Sequence, residues 1–296
     1  MAMPARKIER LVVIGVGLIG GSFALALRKA RAVKRVIGVG RTKRNLALAR
    51  RRGIVDEIAS DAAQAVRDAD FVFLGTPVGQ MAEVMSRIAP HLSPRAVITD
   101  GGSTKQDVIA HARRRLGERY AQFVPSHPIA GNELSGAAAA HAGLFRDRMV
   151  IVTPQPGTGA AALRAVRAAW RSCGARVLRM DAREHDEILG AVSHLPHVVA
   201  FALVNALARR PDARKALAHS GGGLRDTVRI AGSSPEMWRD ICLANRDALL
   251  AALDGYTAEL ARCRAAIESG DGAALQSMFE QARAARARLL LRRRAQ

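Results

Sequence analysis

"VVIGVGLIGGS", residues 12–22, is a β-branched run that breaks into glycines at 15, 17, 20 and 21. A short Val/Ile run reads as a strand, and the apolar pattern that follows reads as a helix. G-x-G-x-x-G between such a strand and helix has the form of a dinucleotide-binding turn. Gly15 permits the tight turn, Gly17 lets backbone amides approach a pyrophosphate, and Gly20 lets the helix pack closely on the strand. Leu18 and Ile19 open that helix, whose unpaired amides and positive dipole end favour an anion. Gly15, Gly17, Leu18, Ile19 and Gly20 are therefore the first candidate cofactor contacts.

The strand–helix alternation continues outward from this stretch to about residue 181. "RVIGVG", "DFVFLGTP", "RAVITDGG", "AQFVPS", "RMVIVTP" and "ARVLRMD" are further strand candidates, separated by amphipathic segments such as "GQMAEVMSRIAPHL" and "KQDVIAHARRRLG". That order implies parallel strands with crossover helices on both faces. Past residue 182 the strand signals stop. "REHDEILGAVSHLPHVVAFALVNALARR" is one long helical pattern, expected to kink near Pro196 for want of an amide hydrogen. Further helical patterns cover 236–268 and 272–291. The sequence predicts an α/β chain: a doubly wound, mostly parallel sheet in residues 1–181, then an all-helical domain in residues 182–296.

The formal charge of +20 invites a nucleic-acid reading, since basic surfaces gain affinity by releasing phosphate counterions. Nearly all of it is arginine spread along helical patterns, and with aromatic residues at 4% no stacking platforms interleave with it. A solvated basic surface is expected, with no nucleic-acid partner. Cys173, Cys242 and Cys263 lie far apart without a CxxC, so neither a disulfide framework nor a metal cluster is indicated. The first apolar run imitates a signal peptide, but its glycine spacing argues otherwise. The apolar stretch "ILGAVSHLPHVVAFALVNALA" carries two histidines, a proline and an asparagine, which a membrane span of about 20 residues tolerates poorly. A cytoplasmic protein with no membrane contact is expected.

The end of the second strand chooses between cofactors. An acidic residue there would bond the 2′-hydroxyl of NAD, but "VGRTKRN" has Gly40 at that place, followed by Arg41, Thr42, Lys43 and Arg44. Cations and a hydroxyl suit the 2′-phosphate of NADP, which is favoured, with NAD possible. Thr76 and Pro77 of "FLGTPVGQ" lie at another strand's carboxyl end, where such a sheet keeps its ligand crevice.

Two further strand ends point to the same crevice. "ITDGGSTKQ" delivers Ser103, Thr104 and Lys105 ahead of a helix; the plain alternative is a simple N-cap. "FVPSHPIAGNE" delivers His127 between Pro125 and Pro128, on an extended backbone that the prolines stiffen. An imidazole can accept a substrate proton while a nicotinamide takes hydride. In the helical half, His194 and His197 stand three apart, and so do Asp226 and Arg229 after a glycine triplet. The histidines suit substrate contacts or core positions, with no third ligand to suggest a metal. The arginine suits a carboxylate or a surface ion pair.

Together, "VVIGVGLIGGS", "FLGTPV", "TDGGSTK", "PSHPIAGNELSG", "SHLPHVVAFAL" and "GGGLRDTVRIAGSSPEMWRDI" resemble the prephenate dehydrogenase (TyrA) family, which includes arogenate and cyclohexadienyl dehydrogenases. The resemblance implies a Rossmann domain followed by an all-helical domain that forms a homodimer. It implies oxidative decarboxylation of prephenate to 4-hydroxyphenylpyruvate, or of arogenate to tyrosine, with NAD or NADP. By it, His127 is the proton acceptor and Ser103 positions histidine and substrate. Arg229 binds a substrate carboxylate with Asp226 beside it, His194 and His197 line the pocket, and Glu133 stands near its mouth.

Two rivals remain at this level. A β-hydroxyacid-type reductase also joins a Rossmann half to a helical half, but it relies on a lysine in the second. Lys215, the only lysine after Lys105, lacks that family's surroundings. A nucleotide-sensing DNA-binding protein would need a recognition-helix module, and none is visible.

Overall fold

The computed structural model describes residues 7–131 and 133–294. Its first elements are β1 (Ile8–Ile14), α1 (Leu18–Lys29), β2 (Val33–Val39), α2 (Lys43–Arg51), β3 (Glu57–Ala59) and α3 (Ala62–Ala65). They continue as β4 (Phe71–Leu74), α4 (Val78–Ile88), β5 (Val97–Asp100), α5 (Gln106–Arg115) and β6 (Phe123–Val124). The six strands form a parallel sheet in the order β3-β2-β1-β4-β5-β6. The order reverses between β1 and β4, which opens a ligand crevice at their carboxyl ends.

Period two along the strands assigns each side chain to a layer. Leu11, Val13, Phe71 and Phe73 join Phe23 of α1 on one face. Val12, Ile14, Val72 and Leu74 join Met81 and Met85 of α4 on the other. Both faces are covered, so these strands read as continuous apolar runs.

A second sheet adjoins the first. Its elements are β7 (Ser126–Pro128), α6 (Gly136–Ala139), β8 (Met149–Val152), α7 (Ala160–Ser172) and β9 (Arg176–Arg179). The strand order is β7-β8-β9, with β7 antiparallel to β8 and β8 parallel to β9. His127 therefore sits in a strand, opposite Ile151, where three residues are too few to show periodicity. Trp170 of α7 ties the two sheets together. Its ring lies 4.7 Å from Phe23 and 5.1 Å from Phe145, and its Nε1–H donates to Ser126 Oγ at 3.0 Å.

The helical part starts with α8 (Ala182–Leu189), where Asp181 accepts from the amides of Arg183 and Glu184. A π turn over Gly190–His194 leads into α9 (Leu195–Ala208). The disturbance expected at Pro196 takes this form: with no amide for the Val192 carbonyl, the chain widens by one π turn and continues. By length and composition alone, Ala182–Ala208 is apolar enough to cross a membrane. Then come α10 (Ala213–Ala218), α11 (Gly222–Val228) and α12 (Pro235–Ala244). One compact unit runs through Arg246, and a second covers Asp247–Gln296. The helices of the latter are α13 (Arg246–Glu268) and α14 (Gly272–Arg294), separated by Gly270 at φ +67°. Asp271 caps α14 by accepting from Ala274 N at 2.9 Å.

Candidate active site

Each glycine of the first turn meets a distinct constraint. Gly15 has φ +96°, and a Cβ there would lie 2.5 Å from the Gly75 carbonyl carbon. A Cβ on Gly20 would strike the Gly15 carbonyl oxygen and Val13. One on Gly17 would meet nothing within 4 Å. Two glycines are thus fixed by the fold itself, whereas Gly17 faces open space at the start of α1. No side chain caps that helix and its first turn holds no acid, so its amides are left for an anion. Leu18 is buried and Ile19 half-buried beneath. Thr76 Oγ1 is buried with no hydrogen-bond partner, and Pro77 starts α4 behind it. An open approach at Gly17, free helix amides and an orphan hydroxyl fit a dinucleotide. Beyond β2, the Thr42 hydroxyl caps nothing and Arg41 pairs with Glu236 of α12.

His127 follows β6 at the same edge of the sheet. Its Nδ1 lies 2.8 Å from His185 Nε2, and His185 Nδ1 lies 2.7 Å from Asp186 Oδ1. The Asp186 carboxylate also accepts from Lys105 N and Gln106 N, each at 2.8 Å, at the start of α5. The cap of that helix therefore comes from α8, and neither Ser103 nor Thr104 supplies it. Lys105 is fully buried: its Nζ contacts Asp100 and donates to Ser126 O at 2.8 Å. Ser126 N in turn donates to Asp100 Oδ1 at 2.9 Å. This lattice fixes β7, and hence the His127 backbone. Burial, above all, with the Lys105 charge nearby, pushes the His127 pKa well below its usual value. The ring is neutral near pH 7 and free to act as a base. Burial alone would raise the Asp186 carboxyl, but the bonds from His185, Gln106 and Lys105 hold it below the usual range.

His194, at the end of the π turn, is buried. Asn245 Nδ2 donates to the Asp186 carbonyl at 2.8 Å and lies 3.0 Å from His194 Nδ1. The amide is oriented by the carbonyl, so His194 Nδ1 accepts and its proton sits on Nε2, a buried atom without a partner. Burial lowers its pKa to about 4. His197 stacks on Trp238 with ring centroids 3.6 Å apart, and its Nδ1 donates to Ser193 O at 2.8 Å. Burial, aided by the Arg229 charge, lowers its pKa.

Arg229 reaches Glu133, with Nη1 3.0 Å from Oε2, rather than Asp226. Asp226 is exposed, and the spacing of three in sequence does not bring it to the guanidinium. Ser103 is half-buried in the loop after β5 and makes no hydrogen bond to His127 in this structure. The sequence reading missed His185, Asp186 and Asn245, which surround the candidate base and its neighbour.

Two sequence families match the chain: "Prephenate dehydrogenase, nucleotide-binding domain" over residues 23–179 and "Prephenate dehydrogenase, dimerization domain" over residues 181–281. Cyclohexadienyl dehydrogenase of Zymomonas mobilis is 37% identical over 94% of this chain and 95% of its own length. Prephenate dehydrogenase of Bacillus subtilis is 36% identical over 97% of this chain and 77% of its own. Among solved structures, Aquifex aeolicus prephenate dehydrogenase in complex with hydroxyphenyl propionate and NAD+ is 33% identical. It superposes with a TM-score of 0.89 over 97% of this chain and 100% of that one. Synechocystis arogenate dehydrogenase, 30% identical, superposes with a TM-score of 0.76 over 95% and 99%. With a Rossmann sheet, a dinucleotide turn and these relatives, the chain belongs to the prephenate dehydrogenase family and is a nicotinamide-dependent dehydrogenase.

Proposed function

We propose that the chain oxidatively decarboxylates prephenate, arogenate or both, with NADP as its favoured acceptor and NAD as a possible one. One observation carries the reading: half-buried His127, held by His185, follows the carboxyl end of β6, on the same side of the parallel sheet as the glycine turn that follows β1. The dinucleotide would rest on Gly15, Gly17, Leu18, Ile19 and Gly20, beside Thr76 and Pro77, with a 2′-phosphate meeting Arg41 and Thr42. When bound, its nicotinamide supplies the hydride acceptor for C4 of the substrate ring. His127 takes the proton of the C4 hydroxyl as that carbon becomes a ketone. The ketone draws the electron pair of the bond to the ring carboxylate, carbon dioxide leaves, and the ring becomes aromatic. His127 then returns its proton to the phenolic oxygen, so the base is regenerated. Aromatisation favours the products, which leaves alignment and one proton transfer to the protein.

Arg229 is assigned to a substrate carboxylate, which would compete with Glu133 for the guanidinium; Asp226 lies on α11, one turn ahead of it. His194, His197 and Ser103 line the substrate side, Ser103 as a positioning hydroxyl. We assign residues 1–181 to nucleotide binding and residues 182–296 to substrate binding and homodimer formation. In α9 only Ala200 is fully buried, while Val204 and, in the preceding π turn, Val192 are exposed, an apolar surface suited to a second copy. On this reading the apolar helix meets protein, and the enzyme is cytoplasmic without nucleic-acid or membrane partners.

Assays crossing prephenate and arogenate with NAD and NADP test the assignment. Turnover of at least one substrate is expected, and none with any of the four pairs would overturn it. His127→Asn should lower kcat by about 10²–10⁴ while nucleotide affinity holds. Arg229→Ala should act chiefly on KM.

A further inference from the structure

We propose that His185 and Asp186 are positioning residues of the reaction: they fix the tautomer of His127 so that its Nε2 carries the lone pair that receives the substrate proton. The inference rests on His127 being the base. It assigns a role to two residues of α8 that no motif reading singled out.

The direction of the hydrogen bonds follows from the far end. Asp186 accepts two backbone N–H groups at the start of α5, one on each carboxylate oxygen, and is held as an anion. An anionic carboxylate only accepts, so the 2.7 Å contact with His185 Nδ1 requires a proton on that nitrogen. On this proposal His185 carries that single proton, so its Nε2 keeps a lone pair and accepts the next bond, 2.8 Å long, from His127 Nδ1. The lone pair of neutral His127 must then lie on Nε2. Both rings are oriented by these bonds as well, meeting edge to face at 66° with centroids 5.1 Å apart. His185 and Asp186 are fully buried, so water does not compete for either bond.

When His127 takes the substrate proton on Nε2, its Nδ1–H stays in place and is shared more strongly with His185, which Asp186 polarises. No proton leaves the relay. The other charged or titratable groups that face His127 are Lys105, whose ammonium is paired with Asp100, and His194, which burial keeps neutral. Asp186 is thus the negative end available to the imidazolium. Asn245 braces the same turn from α12's end by donating to the Asp186 carbonyl.

The test uses the full-length enzyme. Histidine-ring ¹H–¹⁵N spectra of the wild type should show His127 protonated on Nδ1 alone. A proton on Nε2 would overturn the relay without any variant being made. In kinetics, His185→Phe removes the acceptor, while His185→Gln can offer an amide oxygen in its place. Loss of tautomer control in a comparable histidine–carboxylate pair costs on the order of 10⁴ in kcat. His185→Phe should lower kcat by about 10² or more, with both KM values within about threefold, and His185→Gln should regain about tenfold. Equal losses in the two variants, or wild-type kcat in His185→Phe, would overturn the proposal. His127→Asn separates the two levels. Unchanged turnover there removes the base itself, whereas a dead His127→Asn with an Nε2–H tautomer in the wild type removes the relay alone.

Discussion

Arg41, two residues past the end of β2, is engaged by Glu236 of α12: Nη1 lies 3.2 Å from Oε1 and Nη2 3.4 Å from Oε2. Gln80 of α4 donates to the same Oε1 at 3.0 Å. A carboxylate thus occupies the guanidinium fork in the way a 2′-phosphate would. The hydrogen bond and charge of Arg41 hold the Glu236 carboxyl below its usual range, so the competitor is anionic at neutral pH. Arg41→Ala should weaken NADP by about tenfold or more and leave NAD nearly unchanged, since hydrogen bonds to charged groups are among the strong ones. Glu236→Gln should move the NADP-to-NAD ratio the other way. Equal losses for both nucleotides in Arg41→Ala would show that the 2′-position lies elsewhere.

Gly17 and Gly20 should respond to alanine in opposite ways. At Gly17 a methyl group meets no protein atom, so Gly17→Ala should keep the unfolding temperature while obstructing the approach of the pyrophosphate. At Gly20 it would collide with Gly15 O and Val13, and overpacking of this kind costs about 1–3 kcal/mol. Thermal unfolding and nucleotide titration of both variants check this. Gly17→Ala with undiminished affinity would move the pyrophosphate away from the turn.

Lys105 supplies a third contrast. It is a buried cation that faces the Asp100 carboxylate and the Ser126 carbonyl, and it does not reach the crevice. Removing one partner of a buried pair strands the other charge and costs about 3–5 kcal/mol. Lys105→Met should lower stability to denaturant by that order, and Asp100→Asn added to it should recover part of the loss. A Lys105→Met enzyme as stable as wild type would mean that Asp100 is satisfied by its backbone donors alone.

Legibility in the sequence follows how local each constraint is. The glycine turn was readable because its spacing lies within one strand–turn–helix unit, although only Gly20 answers to a contact inside that unit and Gly15 answers to Gly75 after β4. The seven strand candidates correspond to strands, most of them because runs buried on both faces are continuous and apolar; β9, largely exposed, shows only its short Val-Leu run. β3 and β7 escaped, each being three residues long. His127 was legible as an extended, stiffened residue, but its partners were not. His185 and Asp186 lie 58 and 59 positions away, and no spacing rule joins them to it. A signal did exist. Ala182, His185, Asp186 and Leu189 are the buried positions of α8, at i, i+3, i+4 and i+7. A histidine and an aspartate on the apolar stripe of a helix must be paired inside the protein, and that alone marks them as candidates. Arg229 gave the reverse lesson: its helical spacing suggested Asp226, whereas the chain brings it Glu133 from across 96 residues.

Stability should fall as the medium is acidified through the histidine range. His194 drops from the ordinary histidine value of 6.5 to about 4 because burial disfavours its charged form, and His127 is lowered in the same sense. A histidine with a depressed folded pKa binds fewer protons folded than unfolded, so unfolding is favoured as pH falls. The contribution is fully present above the unfolded pKa, near 6.5, and for His194 is lost progressively until about pH 4. Each such group adds a slope of up to about 1.4 kcal/mol per pH unit inside that window. The lowered carboxyl of Asp186 acts only beneath the ordinary aspartate value of 3.8, so it does not blur the histidine range. Urea unfolding followed from neutral pH down to the carboxylate range should show this slope, and His194→Gln should flatten it. A wild-type curve that stays level across the window would mean that His194 takes up its proton within the folded enzyme, where Asp186 would then be its counter-ion.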